Sequence, residues 1–317
     1  MPKRVSAARM LDEGATAVPS LVHGTKRVGS LQRQRGRTGV LFAIPIVVLV
    51  SFLLLFPIIE AFYYGFTNWN GISAQWVGLA TYRQLITSSV FWRVLLNNAV
   101  LLVAIPFAIF IPLVVAFLLN QKVPGWKFFR SVYFLPTAVS WVVIGMVSIQ
   151  FFASNGLLSR ALQALGLGGS QAGFLGHSAT ALAAVAVTFI WSVFGTNTII
   201  FATGMATLST EVLEAARVDG ANAWTAMVHI MIPLLRRFLQ FAFIMTLITA
   251  FTALFSLIFV MTGGGPGYGT TTLEFFVYQQ AFSQGQFGTG AALGTVLFLI
   301  VFGISIFQLR LMNEDKY

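Results

Sequence analysis

The sequence predicts an all-α, polytopic membrane protein with six transmembrane helices, and three observations carry that expectation. Of 317 residues, 57% are hydrophobic and only 9% charged, with 31 Phe. That balance is foreign to a soluble domain. Six apolar stretches are each long enough, at about 1.5 Å per residue, to cross a hydrocarbon core of about 30 Å. The basic residues gather in the segments that separate these stretches alternately.

Residues 1–38 hold eight basic residues, from Lys3 to Arg37, against Asp12 and Glu13 as the only acids. They read as a basic cytoplasmic N-terminal tail, too polar and too far from the first apolar run for a cleavable signal. The remaining residues, 39–317, read as one transmembrane domain. Its first span runs over about residues 40–66, with Pro45 and Pro57 inside it and Tyr63, Tyr64 and Trp69 as an aromatic belt at its far end. Further spans are expected at about 94–119, 128–152, 180–205, 238–261 and 287–309.

With the tail inside, sixteen basic residues fall on inner segments and three, Arg83, Arg93 and Arg160, on outer ones. The expected orientation is therefore N-in and C-in, in a bacterial cell membrane. The net charge of +10 is topogenic on this pattern and implies no nucleic acid. Without cysteine there is no disulfide and no thiolate chemistry. No Gly-rich stretch continues into Gly-Lys-Ser/Thr, so no nucleotide site is evident.

The one long polar segment between spans is 206–237. Ser209 or Thr210 can cap a helix whose first turns carry Glu211 and Glu214, where carboxylates suit the dipole. Gly220 ends it in a left-handed conformation, and Asp219 is expected to cap a second short helix through Trp224 towards Met227. The first arm, with Val212, Leu213, Ala215, Ala216 and Val218, is small and apolar enough to lie in a groove of another protein.

This segment resembles the EAA loop of ABC importer permeases. Glu214-Ala215-Ala216 is followed by Gly220 and, further on, by Ile230 and Ile232-Pro233, and the extended EAAxxDGA form of sugar-type permeases stands intact from Glu214 to Ala221. Ile232 replaces the usual Leu, Met227 stands where an aromatic is common, and Arg236-Arg237 stand where a second proline often follows. Residues 76–82 resemble the VGLxNY signature of that group, and 262–273 its GGPxxxTxTL segment. The resemblance implies the MetI-like transmembrane domain of a type I importer for carbohydrates, a transport subunit and not an enzyme. It implies a second permease, two copies of a cytoplasmic ATPase that binds ATP and Mg, and an extracytoplasmic solute-binding protein. Glu214, Ala215, Ala216, Asp219, Gly220 and Ala221 are by the same resemblance the coupling residues.

The spans themselves carry almost no charge: no Asp, Glu, Lys or Arg lies in 94–120, 131–159 or 238–273. Proton-coupled carriage and ionic solutes both want charge near the midplane. Neutral polar and aromatic residues are plentiful instead, and Trp191, Thr196, Asn197, Thr246, Thr249 and Thr252 are the candidates for a solute pathway. Asn197 leads, because a mid-span amide needs a partner; most of the hydroxyls are expected to bond their own helix carbonyls. The alternatives are a permease for glycerol phosphate derivatives, which would want cationic lining, and a secondary carrier working alone. The scattered His23, His177 and His229 offer no metal site. The glycines at 288, 290 and 294 follow no strand and read as helix packing, not as a dinucleotide loop.

Overall fold

The computed structural model describes residues 42–120, 125–166 and 173–313. The basic tail and the glycines at 168 and 169 lie outside the described residues. The chain divides into two units, residues 1–59 and 60–317. Apart from one bridge between Thr67 and Trp76, the described residues hold no strand pairing.

Among the described residues, six helices are long and apolar enough to cross a membrane. The first, α1 (Phe42–Tyr64), carries a π-helical turn at Ser51–Leu55, where the Phe56 N–H reaches back to Ser51 O. Pro57 follows directly. A proline removes one N–H from the helical ladder, and the wider turn is how this helix absorbs it.

Within the second unit, α2 (Ala80–Thr87) leads to α3 (Ser89–Asn120), which is interrupted at Val103. A separate α4 (Trp126–Phe134) precedes the third long apolar element, which consists of α5 (Trp141–Phe152) and α6 (Leu157–Ala164). This corrects the expected span over 128–152. A single 3-10 turn at Leu135–Ala138, with Pro136 buried in it, breaks that run before Trp141. The chain leaves the helical region at Val139 and Ser140, with ψ of 144° and 149°, and the Ser140 side chain then caps α5 by accepting from the Val143 N–H.

The spine of the unit is α7 (Ser178–Ala206). It packs on α3, α5 and α10 (Arg236–Met261), burying Val185 and Phe189 against Ile105, Ala108, Ile144, Leu254 and Ile258. A helix apolar all round belongs in such an interior. Between α7 and α10 lie α8 (Thr210–Val218) and α9 (Ala223–Leu234). The chain then forms α11 (Leu273–Tyr278) and α12 (Phe287–Asn313). A smaller core joins Phe91 and Val94 of α3 to Leu273, Phe276 and Leu293.

Close backbone approach replaces bulk in places. A side-chain carbon at Gly288 would strike the backbone of Thr67, and one at Gly290 would come within 2.7 Å of Ala281. Position 294 is open. Two of the three glycines therefore serve packing, as lipid-embedded helices require when apolar burial alone cannot drive them together.

Candidate functional site

Three polar regions interrupt the apolar frame. The first is the α8–α9 hairpin. Ser209 Oγ accepts from the Glu211 N–H at 3.2 Å, which caps α8 as the sequence predicts. Gly220 takes φ +83°, and the Ala221 N–H returns to Ala216 O at 2.9 Å, closing the first arm in a left-handed turn. The cap of the second arm differs from expectation. It is Asn222, whose Oδ1 accepts from the Thr225 N–H at 2.8 Å, and not Asp219. Gly220 displaces the start of α9 by three residues, so Asp219 is left at the end of the first arm.

Ala216 turns inward, while Glu214, Ala215, Asp219 and Gly220 are exposed and Ala221 is half-buried. Val218 is 87% exposed and Trp224 58%. A polar-rimmed helix that shows apolar side chains of this kind presents a surface for another protein. Beyond it, α9 enters a π-helical turn at Met227–Met231 before Pro233, and Met227, Met231 and Leu235 are buried.

The second region is a cavity of about 230 Å³ walled by the 136–144 segment, α7 and α10. Its lining includes Thr137, Trp141, Ser192, Thr196, Asn197, Thr246 and Thr249, all uncharged. The structure thus brings together four of the six pathway candidates. Asn197 is 1% exposed, and its partners are within the protein: Nδ2 donates to Ala108 O at 2.7 Å and to Thr246 Oγ1 at 3.0 Å. Its amide ties α7 to α3 and α10. Thr249 donates to Met245 O and Ser192 to Thr188 O, each at 2.7 Å. Those hydroxyls keep acceptor lone pairs for the cavity. Thr196 is exposed and spends no hydrogen bond within the protein.

Trp191 points elsewhere, into an apolar cavity of about 320 Å³ lined by Phe151, Phe152, Leu158 and Val187. Thr252 is exposed and back-bonds Ile248 O at 3.0 Å. Thr137 and Ser192 are polar lining residues that sequence reasoning passed over, and Trp141, one of the aromatic residues of the expected third span, joins them. Trp141 stacks on Phe189 with centroids 6.2 Å apart, which fixes its ring as part of the wall.

The third region is the loop 262–286, which forms a buried clasp. Thr270, Thr271 and Thr272 are fully buried. Thr271 Oγ1 donates to Gly264 O at 2.9 Å, and Thr270 Oγ1 to Gly265 O at 2.8 Å. Two adjacent amides of α3 hold the loop from outside. Asn97 Nδ2 donates to Tyr268 O at 2.8 Å and Thr271 O at 2.9 Å. Asn98 Oδ1 accepts from the Leu273 N–H at 2.7 Å, and its Nδ2 donates to Glu274 Oε2 at 3.3 Å. Glu274 Oε1 is buried without a partner. Burial therefore holds this carboxyl above the usual carboxylate range, against hydrogen bonds from its own backbone and Asn98 that pull it down.

Comparison with known proteins follows the same lines. The family model described as binding-protein-dependent transport system inner membrane component matches residues 93–316. A probable ABC transporter permease protein of Pyrococcus horikoshii is 34% identical, the alignment covering 82% of this chain and 90% of that one. The multiple sugar-binding transport system permease protein of Streptococcus mutans is 32% identical over 86% of this chain and 93% of its own. A solved bacterial ABC transporter involved in the import of the acidic polysaccharide alginate shares the fold: TM-score 0.77, 19% identity, 91% of this chain and 100% of that chain.

Proposed function

Since this chain belongs to the family of binding-protein-dependent transport system inner membrane components, a multi-pass membrane transport family, we propose that it forms half of the pathway by which an ATP-driven importer takes up a sugar or a related neutral, polyhydroxylated solute. The observation that carries the reading is the cavity between α5, α7 and α10. Its hydroxyls and one fixed indole offer uncharged donors and acceptors beside an aromatic face, the complement of a polyol. A phosphorylated solute would want a cationic wall, and none of the lining side chains is cationic. The sugar class is carried over from relatives such as the Streptococcus mutans permease.

On this reading α8 is the coupling element. Glu214, Ala215, Asp219 and Gly220 meet a cytoplasmic ATPase, which supplies the ATP and Mg chemistry, while Ala216 and Ala221 seat the arm on the bundle. A second permease completes the pathway and an extracytoplasmic binding protein delivers the solute. The hairpin end faces the cytoplasm, in keeping with sixteen basic residues on inner segments against three on outer ones.

The test is uptake of labelled sugars by the full complex reconstituted in vesicles, with Thr196→Val in this chain. A raised KM at unchanged ATPase recovery is the expected result. Wild-type KM and kcat would remove the cavity from the pathway. Accumulation by the chain without its ATPase would point to a secondary carrier instead.

A further inference from the structure

The segment between α1 and α2 has no part in the site described above, and it is built with some care. No charged residue lies between Glu60 and Arg83. The chain there forms a small hairpin: Thr67 pairs with Trp76, the Asn68 N–H meets Gln75 O at 3.1 Å, and Gln75 N–H meets Asn68 Oδ1 at 2.9 Å. At the tip, Asn70 Oδ1 accepts from the N–H groups of Ile72 at 3.0 Å and Ser73 at 2.8 Å. Several backbone N–H groups of the hairpin are thus bonded within it.

What the hairpin offers outward is apolar. Ile72 at the tip is 96% exposed, Leu79 68% and Trp76 65%. Behind them Trp76 stacks on Phe66 at 5.5 Å, and Trp69 lies against Tyr64 at 4.2 Å and Phe287 at 5.2 Å. The Gly288 N–H donates to Trp69 O at 2.8 Å. The base of the hairpin therefore sits level with two span ends, Tyr64 of α1 and Phe287 of α12. That is where the hydrocarbon core gives way to headgroups.

We infer that this hairpin is an interfacial anchor, with Ile72, Trp76 and Leu79 immersed in the headgroup–acyl boundary of the leaflet opposite the α8–α9 hairpin. Three features favour lipid over a protein partner as the occupant. The surface carries no charge with which to select a protein. Its aromatic residues are of the amphipathic kind that settles at membrane interfaces. Several of its backbone N–H groups are already bonded within the hairpin, which lowers the cost of moving the tip from bulk water to the headgroup boundary. A surface apolar patch of this sort is otherwise a liability.

The natural chain has no cysteine, so a single introduced thiol reports from one place. Nitroxide labels at I72C, L79C and, as a water-facing reference at the exposed outer start of α7, H177C would be placed in the full chain in phosphatidylethanolamine–phosphatidylglycerol vesicles. Collision rates with oxygen, which concentrates in lipid, and with a water-soluble nickel chelate are then compared. The expected result is an oxygen-to-nickel ratio severalfold higher at positions 72 and 79 than at 177, and nearly equal at 72 and 79. A ratio at 72 no higher than at 177 would place the tip in water and overturn the inference. Shielding from both reagents would overturn it too, by showing a protein surface over the hairpin; repeating the measurement with and without the other importer subunits would identify which one.

Discussion

The α8–α9 hairpin and the loop 262–286 are the two long polar insertions in an apolar frame, and they are built in opposite ways. The hairpin bonds to itself and leaves Glu214, Asp219 and Val218 in the open. The loop is drawn inside: three consecutive threonines are buried, and Asn97 and Asn98 of a distant helix satisfy its backbone. A polar segment that stays outside is free to bind; one that goes inside needs most of its polar groups matched, as all its buried side-chain polar atoms but Thr272 Oγ1, Glu274 Oε1 and Gln279 Oε1 are here, and so becomes a fastening. Both contain a left-handed glycine, Gly220 at φ +83° and Gly264 at φ +84°. The same backbone device thus ends an exposed arm in one place and turns a buried loop in the other.

That contrast can be broken most directly at Asn98. Asn98→Leu removes the acceptor of the Leu273 N–H and the donor to Glu274, orphaning two buried groups at about 1–3 kcal/mol each. A loss of about 3 kcal/mol is expected, seen as a fall in the thermal midpoint of the detergent-solubilised protein and a reduced yield in membranes. An unchanged midpoint would mean that the loop is not fastened there.

The paired glycine variants come next. Alanine at either position costs about 1–2 kcal/mol in left-handed backbone. At 264 its Cβ would also lie 2.6 Å from Thr271 Oγ1 and 2.8 Å from the Phe275 ring, whereas at 220 nothing lies within 4 Å. Gly264→Ala should therefore lower the thermal midpoint well beyond Gly220→Ala, while only Gly220→Ala should loosen the ATPase in co-purification. Equal midpoints would erase the distinction between the two loops.

A smaller effect is expected from pH. The folded state raises the Glu274 pKa, so it holds the proton more tightly than the unfolded chain does. The corresponding stability is complete below the ordinary carboxylate pKa and is lost as pH rises through the raised folded value. Glu274→Gln should flatten that alkaline-side decline in thermal midpoint. A variant that declines as steeply as the wild type would exclude Glu274 as its cause. The least effect belongs to Glu214→Ala on the exposed arm, where ATPase recovery should fall modestly with no change in the midpoint.

The spans were legible because apolar length is a coarse signal that survives any packing arrangement. The break before Trp141 was not: Pro136 and the capping Ser140 both mark it, but Thr137 and Ser140 read as easily as polar positions on one unbroken span. Among the pathway candidates the difficulty is angular. At about 100° per residue, Trp191 lies about 120° round α7 from Asn197, and Thr252 about 120° round α10 from Thr246. Which face of each helix meets the other is decided by neighbours that are remote in sequence. Asn97 and Asn98 could have been found: two amides side by side in an apolar helix demand partners as much as Asn197 does.

The bond between Asn197 and Thr246 makes a clothes-peg of α7 and α10. Both helices run into the α8–α9 hairpin, α7 ending at Ala206 and α10 starting at Arg236, nine and ten residues from the pin. The two handles are therefore nearly equal, about 14 and 15 Å long. Ser192 and Thr249 lie on the jaws, beyond the pin from the hairpin. While the pin holds and the rods stay straight, pinching the handles spreads the jaws, and a rock of about 4° shifts each handle tip by about 1 Å.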